Sequence, residues 1–220
     1  MVGGKSEGHL RRAGDRRVPE LPDQSTRAIE YARRLQRLDA SWWRRLLNVQ
    51  APYRWNIRRL ELGRTLDVGC GIGRNLAHLD GNGVGVDHNS ESVRIARERG
   101  FTAFTVSQFA RSEFAVPGAF DSLLFAHVLE HMDEAEGSAL LGEYLPYLAP
   151  GGKACFITPQ ERGYRTDETH VRFVDFDALR GLVEGAGLQP ERSFSFPFPR
   201  TLGTMFPYNE FVVVAAKPPR

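Results

Sequence analysis

Cysteine is nearly absent from this chain: Cys70 and Cys155 are the two present among 220 residues. They lie far apart, form no CxxC and belong to no Cys/His cluster. That excludes a disulfide-stapled scaffold and a thiolate zinc site, and fits a reducing compartment. Long apolar runs are missing as well; none approaches the roughly 20 residues a membrane-spanning helix requires. The polar, glycine-rich N-terminus lacks the apolar stretch of a secretory signal, so a cytoplasmic protein with no membrane span is expected. A surplus of one charge is also lacking, since 29 Lys+Arg against 27 Asp+Glu leave a formal net charge of +2. Binding to a polyanion is driven by neutralising phosphates, so the balance argues against nucleic acid as the main partner.

What is present is an ordinary globular composition, 41% hydrophobic and 25% charged, on a chain long enough to bury a three-layer core. Its basic residues crowd the first quarter, from Arg11, Arg12, Arg16 and Arg17 to Arg54, Arg58 and Arg59. They read as a solvated helix face, with a few free to meet an anionic group. Residues 1–24, rich in Gly, Arg, Pro and Glu, are expected to be a mobile N-terminal segment. Residues 25–62 read as a helical lid: Ile29, Leu35, Leu38, Trp42 and Leu46 recur at helical steps, and Pro52 opens a short helix carrying Tyr53, Trp55, Ile57 and Leu60.

From residue 63 to 220 strand and helix patterns alternate. Strands are expected at Thr65–Val68, Gly83–Asp87, Thr102–Val106, Phe120–His127, Lys153–Thr158, Phe194–Phe198 and Phe211–Lys217. Helices are expected from Arg74 to Leu79, from Ser90 as N-cap to Arg99, from Glu134 to Leu148 and from Asp175 to Gly185. The alternation implies an α/β fold, a doubly wound, three-layer sheet of seven strands. The sheet is mainly parallel, with one antiparallel strand near the C-terminus where two strands are joined by a short link.

The stretch Leu66-Asp67-Val68-Gly69-Cys70-Gly71-Ile72-Gly73-Arg74 carries the chemistry. A strand that ends in glycines bends sharply and lets a ligand approach where a Cβ would clash. Asp87, about twenty residues beyond Asp67, ends the next strand, where a carboxylate can accept both ribose hydroxyls of an adenosine. Gly69, Gly71 and Gly73 stand at two-residue steps, whereas a dinucleotide fingerprint separates its last two glycines by three so that pyrophosphate meets a helix N-terminus. An acid ahead of the glycines suits a cofactor with a cationic amino end. These residues count against an NAD-dependent oxidoreductase.

With these motifs the chain resembles the class I S-adenosylmethionine-dependent methyltransferases. Phe120-Asp121, the run Val128-Leu129-Glu130-His131-Met132, Leu148-Ala149-Pro150-Gly151-Gly152 and the final strand extend the match from about Arg64 to Lys217. The resemblance implies a Rossmann-like fold, with S-adenosyl-L-methionine (SAM) as methyl donor and S-adenosyl-L-homocysteine as product. It places Asp67, Gly69, Cys70, Gly71 and Gly73 around the amino-acid end of the donor, Asp87 on its ribose, and His88 and Asn89 beside its adenine or ribose. Where the family often has an acid after the third strand, this chain reads Val106-Ser107-Gln108-Phe109-Ala110. Gln108 would take over the hydrogen bond to adenine and Phe109 would stack, unless Phe109 is simply core.

On the acceptor side His127, His131 and His170 are the candidate catalytic bases, since a hydroxyl must lose its proton as it is methylated. Structural roles compete with this for each, most strongly for His131. Glu130 either orients an imidazole or, with Asp133, sits near a divalent ion such as Mg2+; no ligand spacing supports a metal, which stays open. The polar loop Pro159–Arg172 favours a hydroxyl of a small polar acceptor, a sugar or glycan ahead of a phenol or quinone. The alternatives are N- or carboxyl-methylation of another small metabolite and a non-catalytic SAM-binding protein. The expected assembly is a monomer or homodimer.

Overall fold

The computed structural model describes residues 50–219. The segment 1–24 and the helix expected over Thr26–Leu47, with Trp42 and Trp43, lie outside the described residues. The strands are β1 (Thr65–Val68), β2 (Gly83–Asp87), β3 (Ala103–Thr105), β4 (Phe120–Ala126), β5 (Leu148–Pro159), β6 (Gln189–Phe196) and β7 (Glu210–Ala216). They form one seven-stranded sheet in the order β3-β2-β1-β4-β5-β7-β6. Pairing is parallel from β3 through to β5, while β7 is antiparallel to both β5 and β6. The sheet is therefore of the expected type, with β7 as its reversed strand.

The central strands are apolar because both faces are covered. Leu123, Phe125, Phe156 and Val213 point to one side, where they meet α4 (Glu134–Tyr144) and the helix Phe176–Gly185. Leu124, Ala126, Cys155, Ile157, Val212 and Val214 point to the other, toward α1 (Ala51–Arg59) and α2 (Ser90–Glu98). Phe125 and Phe156, both fully buried, stack across β4 and β5 with ring centroids 5.2 Å apart. Burial of each ring contributes about 1.5–3 kcal/mol. Through Ile57 and Leu60, the end of the expected lid packs into the second of these cores. Among the described residues no helix is long and apolar enough to cross a membrane.

Two local expectations are corrected. The helix expected over Arg74–Leu79 is a run of turns with a 3-10 segment at Leu76–His78. Gly73 (φ +81°) precedes it and Asp80 (φ +52°) follows, so fewer than two helical turns of chain are available, too little to offset the cost of nucleation. The N-cap of α2 is Asn89 rather than Ser90: its side-chain oxygen accepts from the backbone N–H of Glu91 and Ser92 at 3.0 and 3.2 Å.

The strand order determines where a ligand can sit. From β1 the chain moves outward to β2 and β3, then crosses back to place β4 on the other side of β1. The two halves diverge at the carboxyl ends of β1 and β4 and leave a crevice there. Gly69, Asp87 and His127 follow or end β1, β2 and β4 at this edge. Because β7 runs backwards, its first residue, Glu210, reaches the same edge, paired with Pro159 at the end of β5.

Candidate functional site

A cleft of about 300 Å³ opens at this edge, at the lower end of the range for small-molecule sites. One wall is the glycine turn, the other holds His127 and Glu210, and Tyr53 and Tyr208 stand at the lip. The turn alternates into the left-handed region at Gly69 (φ +79°), Gly71 (φ +52°) and Gly73 (φ +81°). A Cβ on Gly69 would lie 2.3 Å from Val128 Cγ2, so the absence of a side chain lets the loops after β1 and β4 close on each other. Asp87 fixes the turn from β2: Oδ2 accepts the Gly71 N–H at 2.8 Å and Oδ1 the Asn89 N–H at 2.8 Å. Each oxygen retains a lone pair for a further donor.

Asp67 is fully buried, and neither carboxyl oxygen makes a well-formed hydrogen bond, the Asn75 amide lying close to it. Burial, reinforced by the charge of Asp87 and moderated by the neighbouring Asn75 amide, pushes its pKa up to about 8. A cation such as an ammonium beside this buried carboxyl would hold it ionised. The Cys70 side chain packs against β2, where a Cβ on Gly85 would lie 2.6 Å from its Sγ. Burial raises its pKa, so it is an inert thiol beneath the turn.

His127 adopts φ +58°, uncommon for a residue with a side chain. Its Nδ1 lies 3.2 Å from Glu130 Oε1 and its Nε2 2.9 Å from Glu210 Oε1. The side chain is 47% accessible, yet it lines a concave wall, so water meets one edge while protein encloses the remainder. Desolvation disfavours the imidazolium, but the two glutamates outweigh it and raise the pKa to about 10. Glu210, nearly buried, is shifted upward by desolvation, which its bond to His127 only partly counters. One imidazolium cannot neutralise two carboxylates, so His127 and Glu210 are both shifted upward. The backbone of Glu210 is locked in turn: the buried Gln160 amide donates to its carbonyl at 2.9 Å, and Asn209 Nδ2 donates to Gln160 Oε1 at 2.9 Å.

Beyond Glu130, one potential ligand atom from each of Glu130, His131 and His170 lies within 4.8 Å of the others. The His131 and His170 rings are 4.8 Å apart between centroids. Asp133 is not part of this group; its side chain caps α4 in a reciprocal capping box with Glu136.

The structure thus brings Gly69, Cys70, Gly71 and His127 to the cleft, with Asp67 and Asp87 behind its turn. His131 and His170 sit together one side chain away. His88 is turned out, 90% exposed, and its Nδ1 stands 3.6 Å from Asp87 Oδ1. Gln108 and Phe109 do not reach the cleft. Gln108 Oε1 accepts from Thr105 N and from Arg97 Nη2 in the capping box of α3 (Val106–Phe109), beside an open groove of about 350 Å³ along α2. That groove lies away from the strand ends that converge on the cleft. Phe109 is 2% exposed and packs on Phe120, Tyr144 and Tyr147, so its ring is core and the expectation that it stacks on a ligand is not met. Glu210 was not foreseen from sequence; the available signal was an acid at the first position of an apolar strand.

Comparison with known proteins agrees with this geometry. Residues 31–193 match a family model described as a methyltransferase domain. An uncharacterized methyltransferase of Bacillus cereus is 26% identical over 157 residues, covering 70% of this chain and 71% of that protein. A SAM-dependent methyltransferase structure from Thermotoga maritima aligns with a TM-score of 0.62 at 19% identity, over 85% of this chain and 97% of that one. Another, from Archaeoglobus fulgidus, aligns with a TM-score of 0.57 at 17% identity, over 75% and 93%.

Proposed function

The chain belongs to the SAM-dependent methyltransferases, and from that premise we propose that it methylates a hydroxyl of a small polar acceptor, a carbohydrate ahead of a phenol. The observation that carries this reading is Glu210, a nearly buried carboxylate at the cleft wall, held through His127. A hydroxyl must lose its proton as it attacks the methyl carbon, whereas a carboxylate acceptor has none to lose and an amine or thiol needs less help. Both His127 nitrogens are engaged by carboxylates, which favours Glu210 as the proton acceptor and His127 as its orienting partner.

On the donor side, Asp67 fits the ammonium of the methionine end, which would complete its under-satisfied carboxyl. The free lone pairs of Asp87 fit the pentose hydroxyls. The donor supplies an activated methyl group, and what the protein contributes is alignment and removal of a proton. The polar loop after β5 and the aromatic lip of Tyr53 and Tyr208 suit a sugar, whose hydroxyls need hydrogen bonds and whose faces lie well on rings. Charge balance continues to argue against nucleic acid.

Two measurements test the reading. Calorimetry with SAM, S-adenosylhomocysteine and NAD should give heat with the first two only; heat with NAD alone overturns it. Turnover on a panel of sugars, phenols and amines then identifies the acceptor. With that acceptor, Glu210→Gln should lower kcat by about 100- to 10,000-fold and leave donor affinity within about twofold. An unchanged kcat removes Glu210 from the reaction.

A further inference from the structure

We propose that Glu130, His131 and His170 form a binding site for one divalent first-row transition ion beside the methyl-transfer cleft. Three independent features support it. First, the donors converge: one potential ligand atom from each residue lies within 4.8 Å of the others. Two donors bonded to one tetrahedral ion at about 2.1 Å lie about 3.4 Å apart, so the widest pair must close by up to about 1.4 Å, within the reach of side-chain rotation.

Second, the imidazoles are oriented as metal ligands are. His131 Nδ1 is 3.3 Å from the Thr169 carbonyl oxygen and 3.2 Å from Thr169 Oγ1, whose own proton goes to Asp167. His170 Nδ1 is 2.7 Å from the Tyr164 carbonyl oxygen. A carbonyl only accepts, so Nδ1 carries the hydrogen on both rings and Nε2 is left with its lone pair. Third, Glu130 is 0% exposed and its Oε2 has no hydrogen-bond partner, while Oε1 serves His127. A buried carboxylate oxygen without a donor is costly unless a cation completes it.

The scaffold is fixed by backbone bonds. The Glu130 carbonyl accepts the N–H of Val171 at 2.8 Å and of Arg172 at 3.2 Å, which pins the loop carrying His170 to the segment carrying Glu130 and His131. Two imidazoles and one carboxylate suit Mn2+, Fe2+, Co2+, Ni2+ or Zn2+ and are a poor set for Mg2+, which takes oxygen ligands. Three protein ligands leave coordination positions open for water or for an acceptor oxygen. Glu130 also joins the site to the cleft through His127, so an ion there lies on the acceptor side. That last role rests on the proposed oxygen acceptor; the binding of the ion does not.

The test uses the full chain without a histidine tag, stripped with a chelator, loaded with Zn2+ or Co2+ and desalted. Elemental analysis should find about one ion per chain, and Mg2+ at the same concentration should leave none. Bound Co2+ should show the visible absorption of a nitrogen-ligated ion. The double variant His131→Gln/His170→Gln should reduce retained metal to near zero. Donor binding measured on the same stripped protein reports on the fold and on the proposed function separately. If the double variant fails to fold, His170→Gln alone, on the loop, should weaken binding by about 100-fold. A wild-type chain that retains no ion overturns the site, as does retention undiminished in the variant that folds.

Discussion

The two sides of the cleft are built in different ways. On the proposed donor side Asp67, Gly69, Gly71 and Asp87 fall within about twenty residues of chain, and short bonds such as Gly71 N–H to the Asp87 side-chain Oδ2 (2.8 Å) join them. On the proposed acceptor side His127, Glu130, His170 and Glu210 come from the segment after β4, from the loop after β5 and from β7, so contacts such as His127 to Glu210 span 83 positions. A local site depends on glycine geometry, and a dispersed one on the whole sheet being assembled. Errors therefore have different signatures: damage to the first should remove ligand binding, and damage to the second should remove turnover while binding persists.

The sharpest way to break this comparison is at the contact between the two sides. Gly69→Ala would place a methyl group 2.3 Å from Val128 Cγ2 and impose a side chain on φ +79°. We expect a loss of about 2–4 kcal/mol in urea denaturation and no measurable heat with SAM. Adding Val128→Ala should restore part of the stability, because the clash is relieved while the backbone strain remains. Full donor binding by Gly69→Ala would show that the turn is not the donor's wall.

A smaller effect should separate the sides by pH. With the pKa of Asp67 near 8, the free protein carries a neutral carboxyl at pH 7. Pairing with an ammonium requires the carboxylate, so binding releases a proton, and affinity should climb from pH 6 to 8 and then level off. Asp67→Asn should bind weakly and flatten that profile. Stability carries the matching sign. A folded pKa raised above the unfolded value of about 4 makes this contribution fully present below pH 4, and it is lost as pH rises through about 8. In the same range Asp67→Asn should become the more stable protein. A wild-type affinity independent of pH would show that Asp67 is not the cation's partner.

The smallest effect tests a residue that looked like a ligand contact and packs as core. Phe109→Leu should cost about 1–2 kcal/mol of stability through lost contacts with Phe120, Tyr144 and Tyr147. Its donor affinity should equal that of the wild type; a tenfold loss would return the ring to the cleft.

The sequence was most readable where chemistry is local. The acid–glycine turn, the carboxylate ending β2 and the strand alternation all follow from short-range pattern, because each is set by residues that neighbour one another along the chain. Gln108 was open to two readings because a side chain three residues beyond Thr105 can cap α3 or meet a ligand; spacing alone does not distinguish the two, and in the structure it caps the helix. The helix expected at Arg74–Leu79 failed because the positive φ of Asp80 ends the segment and leaves no sequence signature as clear as proline. Glu210 was invisible for a topological reason: its nearness to His127 exists only once β7 has inserted between β5 and β6.

The reversed course of β7 also bears on how such an enzyme could come to accept different molecules. Residues 197–209 run directly into Glu210, and the Gln160–Asn209 amide pair clamps the point of entry. Lengthening or reshaping that one connector would move the Tyr208 lip against a fixed Glu210, while leaving every residue proposed to grip the donor in place. Acceptor preference can then drift in a segment far along the chain, and the machinery for the shared reagent stays unchanged near its start.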